Sequence, residues 1–278
     1  MFLNIKYDKS VVFCYFCSEI WNIIAIRNMN RQGFNFMSNI PAVTKNLIII
    51  NLLLWFATVF MYKLDLVSVL GLHYPAAKDF RLYQLITYMF MHGSFMHIFF
   101  NMFAVYMFGR VLESVWGSKR FLTYYMITGV GAGILNIIVT YFRVKSMESN
   151  LDAEMIEEVY RGGADVLRQG MQYTHSMLRQ LNILINTPMV GASGAVFGIL
   201  LAFGMLFPNM PLYLIPFPFP IKAKYMVIGY GLIELFAGIA NFSFDNIAHF
   251  AHLGGMLFGI ILVIYWKKKD GNNGKYFY

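Results

Sequence analysis

The chain has 278 residues, of which 58% are hydrophobic and only 13% charged, and its mean hydropathy is positive. That is too apolar for a soluble core of this size and marks an integral membrane protein. The formal net charge of +8 does not indicate nucleic acid as a partner, because the cations are scattered at the ends of apolar runs instead of clustered.

Residues 1–40 read as a cytoplasmic N-terminal segment. It carries both cysteines, Cys14 and Cys17, with no later cysteine to pair with and no further ligands, so neither a disulfide framework nor a Cys-x-x-Cys redox or metal role is indicated. Its apolar stretches, Val11–Phe16 and Ile20–Ile26, are interrupted by Glu19 and Trp21-Asn22 and form neither a span nor a signal peptide with a small-residue cleavage site. Met29 and Met37 lie just ahead of the first long apolar run and offer later start sites.

Six apolar runs follow: Val43–Tyr62, Phe95–Leu112, Phe121–Phe142, Pro188–Phe207, Tyr225–Phe242 and Ile247–Trp266. Each has about 18 to 22 residues, enough to cover a hydrocarbon core of about 30 Å at about 1.5 Å per residue. Backbone groups in lipid must be paired within their own segment, so all six are predicted helices. The expected fold is therefore an all-α, polytopic bundle of six transmembrane helices occupying residues 41–266.

Lysine and arginine accumulate on the cytoplasmic side of a bilayer. Lys45 opens the first run, Arg110, Lys119 and Arg120 join the second to the third, Lys222 and Lys224 precede the fifth, and Lys267, Lys268 and Lys269 follow the last. These positions alternate as an N-in, C-in protein requires, with residues 267–278 as a cytoplasmic tail. The insertion at 143–187, with five basic and six acidic residues, then falls outside. Leu151, Met155 and Val159 repeat at helical spacing, Gly162-Gly163 breaks the pattern, and Leu167, Met171, Leu178, Leu181 and Ile185 resume it. Two amphipathic helices on the outer leaflet are predicted. Pro208–Pro220 reads as a proline-punctuated cytoplasmic connector.

In this topology the second, fourth and sixth helices all enter from the outer face. His97, Ser193 and His252 each lie about five residues, or about 7 to 8 Å, below that entry. A serine hydroxyl is a weak nucleophile until a base takes its proton, and a neutral imidazole can do so. Read alone, Ser193 is an ordinary small residue at a helix contact. However, Gly194 and Gly198 form one Gly-xxx-Gly pair, and Gly255 and Gly259 form another below His252. Two glycine-faced helices can approach backbone to backbone and bring the serine and histidine within hydrogen-bond reach. His97 has Asn101 at i+4 on the same face, which stacks two donors of the kind an oxyanion needs, together with the backbone N–H of Ser193. His92 and His249 read as interfacial residues. Glu234 lies nearer the middle of the fifth run than its outer end, so the chemistry is expected to run as a dyad without a carboxylate.

These residues resemble the rhomboid family of intramembrane serine proteases. The matching pieces are His92-Gly-Ser-Phe-Met-His97-Ile-Phe-Phe-Asn101, Gly109-xxx-Glu113-xxx-Gly117, Gly191-Ala-Ser193-Gly194 and Ala251-His252-Leu-Gly254-Gly255, in this order. The resemblance implies Ser193 as nucleophile, His252 as general base and acid, and His97 with Asn101 at the oxyanion. Phe197 takes the position where some members carry a tyrosine packed on the catalytic imidazole. Members often have Trp-Arg in the first outer loop, where this chain has Tyr83-Gln84. The resemblance also implies single-span membrane proteins as substrates, cut near the outer ends of their helices. Substrate enters sideways near the fifth helix, and water enters through an outward cavity under a mobile cap. No cofactor and no metal are implied.

Three other readings are weaker. A catalytically dead chaperone of this fold usually lacks the serine or the histidine. A proton-coupled transporter using Glu234 predicts inverted repeats, and the two halves show none that convinces. A zinc protease requires His-Glu-xx-His, whereas His249-Phe-Ala-His252 lacks the glutamate. The basic, Asn/Ile/Tyr/Phe-rich composition fits a bacterial inner membrane.

Overall fold

A computed structural model describes residues 40–213, 219–240 and 246–271. The expectations for the N-terminal segment, its cysteines and alternative starts, most of the 267–278 tail and the middle of the proline-rich connector lie outside the described residues.

Among the described residues the chain is all-α apart from one small hairpin. In chain order the helices are α1 (Ala42–Phe60), α2 (Leu66–Leu70), α3 (Gln84–Thr87), α4 (Phe95–Ala104), α5 (Arg110–Trp116), α6 (Ser118–Glu148), α7 (Ala153–Arg168), α8 (Ser176–Asn186), α9 (Ser193–Leu206), α10 (Ala223–Ala240) and α11 (Asn246–Gly271). A π-helical turn, Val105–Gly109, fuses α4 and α5 into one rod. Strands β1 (Pro211–Tyr213) and β2 (Pro220–Lys222) pair antiparallel in the connector before α10.

Among the described residues four helical stretches are long and apolar enough to cross a membrane: Ala42–Phe60, Phe95–Trp116, Ser118–Glu148 and His249–Gly271. The protein is accordingly a multi-pass membrane protein. Each of the six apolar runs coincides with a helix, but the ends differ. The third run continues as helix through Arg143 and Lys145 to Glu148, so the outer insertion begins as an extension of α6. The fourth starts five residues late: Pro188–Ala192 is not helical, and Ser193 is the first residue of α9 and not one turn inside it.

Large side chains are distributed as lipid requires. Tyr88, Met89, Leu112, Phe121, Tyr124, Tyr125 and Ile199 are fully buried in the main cluster, while Leu53, Phe60, Phe100, Phe142, Ile233, Phe236 and Ile264 are exposed on the outside of the rods. Two of the buried tyrosines place their hydroxyls on helix carbonyls: Tyr124 donates to Gly198 at 2.8 Å and Tyr88 to Gly129 at 2.7 Å. Glu113 accepts from the Val43 and Thr44 backbone N–H groups at 2.9 and 2.7 Å and from the Thr44 and Ser118 hydroxyls at 2.8 and 2.6 Å. A carboxylate thus closes the unpaired start of α1 and fastens it to the α5–α6 junction.

The insertion departs from its prediction in two ways. Helix α7 runs straight through Gly162-Gly163, because Gly163 is where α8 crosses closely: a Cβ there would overlap the Asn182 side chain. The chain turns instead at Gly170, which has φ +70. Nor do the two helices keep an apolar stripe for the leaflet. Val159, Leu178, Leu181, Leu184 and Ile185 pack with Val144 of α6 and Tyr74 of the first loop, and Met171 is the only exposed large apolar side chain between 149 and 187. Hydrophobic burial is spent within a helical hairpin seated on the end of α6.

Candidate active site

Two backbone features present Ser193. Gly191, with φ +125, donates its N–H to Tyr88 O at 2.9 Å, and Leu72 and Met189 exchange backbone hydrogen bonds at 2.8 and 2.9 Å. The segment before α9 is therefore pinned to the first loop, and the helix can begin at Ser193. Val196 N to Ala192 O, at 3.0 Å, is the first helical bond, so the N–H groups of Ser193, Gly194 and Ala195 precede the ladder. They form the positive end of the α9 dipole beside the serine.

Helix α11 brings His252 to this point. Its Nε2 lies 2.8 Å from Ser193 Oγ. The approach depends on glycine, since a Cβ on Gly255 would overlap the Gly194 carbonyl oxygen. The second member of each glycine pair serves a different neighbour: Gly198 admits Thr128 of α6, and Gly259 admits the Tyr124 hydroxyl. Phe197 stacks on the His252 imidazole with ring centroids 4.2 Å apart and planes 7° from parallel. The imidazole is thus held between a ring on one face and the serine at its edge.

His97 stands on the other side of the serine. A Cβ on Gly191 would lie 2.7 Å from His97 Nε2 and 3.7 Å from Ser193 Oγ, so both groups border the space that Gly191 leaves open. Ser94 caps α4 by accepting the His97 N–H at 3.2 Å, which sets this turn of the helix. His92 is not interfacial: it is 1% exposed and packs edge-on to His97 with ring centroids 5.0 Å apart. Asn101 is buried, and its Nδ2 has no hydrogen-bond partner, leaving a donor uncommitted in the protein interior.

The loop joining α2 to α3 is well anchored without Trp-Arg. Gln84 is completely buried; its Oε1 accepts from Arg81 N at 3.1 Å and His73 N at 3.3 Å, and its Nε2 donates to Asp79 O at 2.9 Å and Val69 O at 3.2 Å. Tyr83 adds a hydroxyl bond to Val69 O at 3.2 Å. One amide thereby ties four backbone groups of the loop together.

The expectation that no carboxylate reaches the histidine is overturned. Glu234 Oε2 of α10 lies 3.0 Å from His252 Nδ1 and 2.6 Å from His249 Nδ1. Helix packing explains the miss: α10 and α11 lie side by side, and which of their residues meet is set by that packing and not by the extent of the apolar runs. The His249 contact is a hydrogen bond, whereas the His252 contact is longer and lies off the ring's N–H direction, leaving that nitrogen without a directed partner. His249 is therefore turned to a carboxylate, not an interface. Glu234, His249 and His252 each offer one ligand atom, all within 4.8 Å of one another.

Residues 79–269 match the Rhomboid domain family model. Over 179 residues the chain is 26% identical to Rhomboid protein 1, mitochondrial, of Saccharomyces cerevisiae, covering 64% of this chain and 40% of that protein. It is 25% identical over 193 residues to Rhomboid-like protein 11, chloroplastic, of Arabidopsis thaliana, covering 65% and 51%. It is also 27% identical over 186 residues to Rhomboid protease AarA of Providencia stuartii, covering 63% and 53%. The chain thus spans about half the length of these relatives. With the matched domain covering most of the sequence and enclosing all of the site, the chain belongs to the rhomboid family.

Proposed function

We propose that this protein is an intramembrane serine endopeptidase that cleaves single-span membrane proteins near the outer ends of their helices. The observation that carries the reading is the 2.8 Å contact between His252 Nε2 and Ser193 Oγ. Ser193 Oγ attacks the scissile carbonyl carbon while its proton passes to His252 Nε2. The oxyanion that forms is met by the free N–H groups at the start of α9, by Asn101 Nδ2 and by His97. His252 then returns the proton to the leaving amine as the C–N bond breaks. Water, activated by the same imidazole, hydrolyses the acyl-serine and restores the resting state.

In this reading α1, the α4–α5 rod, α6, α9, α10 and α11 are six spans with both termini cytoplasmic, in the bacterial inner membrane. Helix α9 has 14 residues, about 21 Å at 1.5 Å per residue, so it is too short to cross alone. The irregular segment before it is bonded to Leu72 and Tyr88 with Ala192 fully buried, and irregular backbone is tolerated at membrane depth where it is buried in protein. Helical peptide bonds in a substrate are shielded, so the substrate must unwind before Ser193 can reach a carbonyl.

The test is covalent labelling by a fluorophosphonate in detergent, compared between the native chain and Ser193→Ala. Labelling of the native chain alone supports the reading. Equal labelling of both ends it.

A further inference from the structure

Outside the serine–histidine contact, the most unusual arrangement in the membrane helices is one carboxylate oxygen shared by two imidazoles. Oε2 of Glu234 stands 2.6 Å from Nδ1 of His249 and 3.0 Å from Nδ1 of His252, and the Glu234 residue is 9% exposed. A carboxylate at such a depth is retained only when paired. We propose that Glu234 is a positioning residue that acts through His252 and completes a Ser193–His252–Glu234 line, with His249 holding the carboxylate in place. The inference rests on the protease reading above.

The geometry fixes the tautomer the reaction needs. The two ring nitrogens of His252 face different neighbours: Nε2 is hydrogen-bonded to Ser193 Oγ at 2.8 Å, and Nδ1 lies 3.0 Å from Glu234 without a directed hydrogen bond at rest. An anion beside Nδ1 favours the form with its proton there, which leaves the Nε2 lone pair free to accept from the serine. When that proton arrives, the imidazole carries two protons and a full positive charge in a low-dielectric site. The carboxylate 3.0 Å away then stabilises a charge that exists only during the reaction. No proton need pass to Glu234. The off-line direction of the resting Nδ1 contact is of the sort that tightens once substrate is bound. Phe197, stacked on the imidazole face, opposes rotation of the ring out of its plane.

His249 has a distinct part. It sits one turn from His252 on α11, and its hydrogen bond occupies the same oxygen, so Glu234 is held from a second point on the same helix. The three side chains are also a His-His-Glu set of the kind that binds Zn2+. The distances decide against a metal. Two ligands of one tetrahedral zinc, with bonds of about 2.0 to 2.1 Å, stand about 3.3 Å apart. Both carboxylate–imidazole separations are shorter than that, and the His249 one is a hydrogen bond.

The experiment measures fluorophosphonate labelling of Ser193 in detergent as separate maximal rate and half-saturating concentration. E234Q is expected to lower the maximal rate about 10- to 100-fold, with the half-saturating concentration within about twofold of the native chain, since the shape is kept and only the charge is lost. E234D, with the charge restored one methylene further back, is expected to recover part of that rate. Thermal unfolding and size-exclusion behaviour identify folded variants, and if E234Q does not fold, an intermediate rate for folded E234D carries the test. A native maximal rate in E234Q, or a folded E234D below one tenth of E234Q, would overturn the proposal while leaving the protease reading intact. Failure of the native chain itself to label Ser193 would remove both. Loss of labelling on dialysis against a chelator, restored by Zn2+ alone, would replace the proton-bridged account with a metal site.

Discussion

The carbonyl of Gly194 occupies the place that a Cβ on Gly255 would need, so α9 and α11 touch backbone to backbone one turn away from the Ser193–His252 contact. Gly255→Ala must therefore push the helices apart where the site is least able to absorb it. Overpacking of this kind costs about 1 to 3 kcal/mol. The expected outcome is a lower unfolding temperature together with loss of Ser193 labelling. Gly162→Ala is the control: a Cβ there meets nothing within 4 Å, and the position is interior to α7. Alanine should leave labelling intact and stabilise by up to about 1 kcal/mol.

Asn101 supplies a buried amide whose Nδ2 has no partner. Leaving a donor unpaired costs stability, and in the protease reading the missing partner is the oxyanion that forms during reaction. Asn101→Ala should lower the maximal rate of labelling or turnover about 10- to 1,000-fold while leaving the unfolding temperature unchanged or slightly raised. Unchanged kinetics would remove Asn101 from the site.

Much of this was legible in the sequence because lipid imposes strong rules. Spans follow from apolar length, and the meeting of Ser193 with His252 follows from equal depth plus the small residues that let α9 and α11 close. Helix ends were less legible, since they depend on partners distant in sequence. Ser193 begins α9 because Gly191 and Met189 are tied to Tyr88 and Leu72, which hydropathy does not register. Gly162-Gly163 reads locally as a break, yet the close crossing of α8 keeps α7 continuous there. Glu234 escaped for the same reason: its level relative to His252 is set by how α10 packs along α11, not by the extent of their apolar runs.

Gln84 is the keystone of the loop joining α2 to α3, with four backbone partners and no exposure. Gln84→Ala strands buried donors and acceptors, each costing about 1 to 3 kcal/mol if water does not replace the amide. Because Leu72 of this loop bonds Met189 ahead of α9, slack in the loop should reach Ser193. Limited proteolysis is expected to show new cleavage between residues 71 and 83, with slower labelling. A variant as resistant and as active as the native chain would show that the loop is held by other contacts.

Phe197 separates ring packing from hydroxyl chemistry at the imidazole. Its ring lies nearly parallel to that of His252 at 4.2 Å, a contact available to any six-membered aromatic ring. Phe197→Tyr should therefore keep the native labelling rate, provided its hydroxyl is accommodated towards Tyr230, whose ring stands 6.3 Å from that of Phe197. Phe197→Ala removes an aromatic contact worth about 0.5 to 1.5 kcal/mol, which corresponds to about a two- to tenfold loss of rate if the whole of it serves to hold the base in line. A larger loss would mean that the ring also excludes water or supports the α9–α11 contact, and the unfolding temperature distinguishes these: water exclusion leaves it in place, whereas lost helix support lowers it.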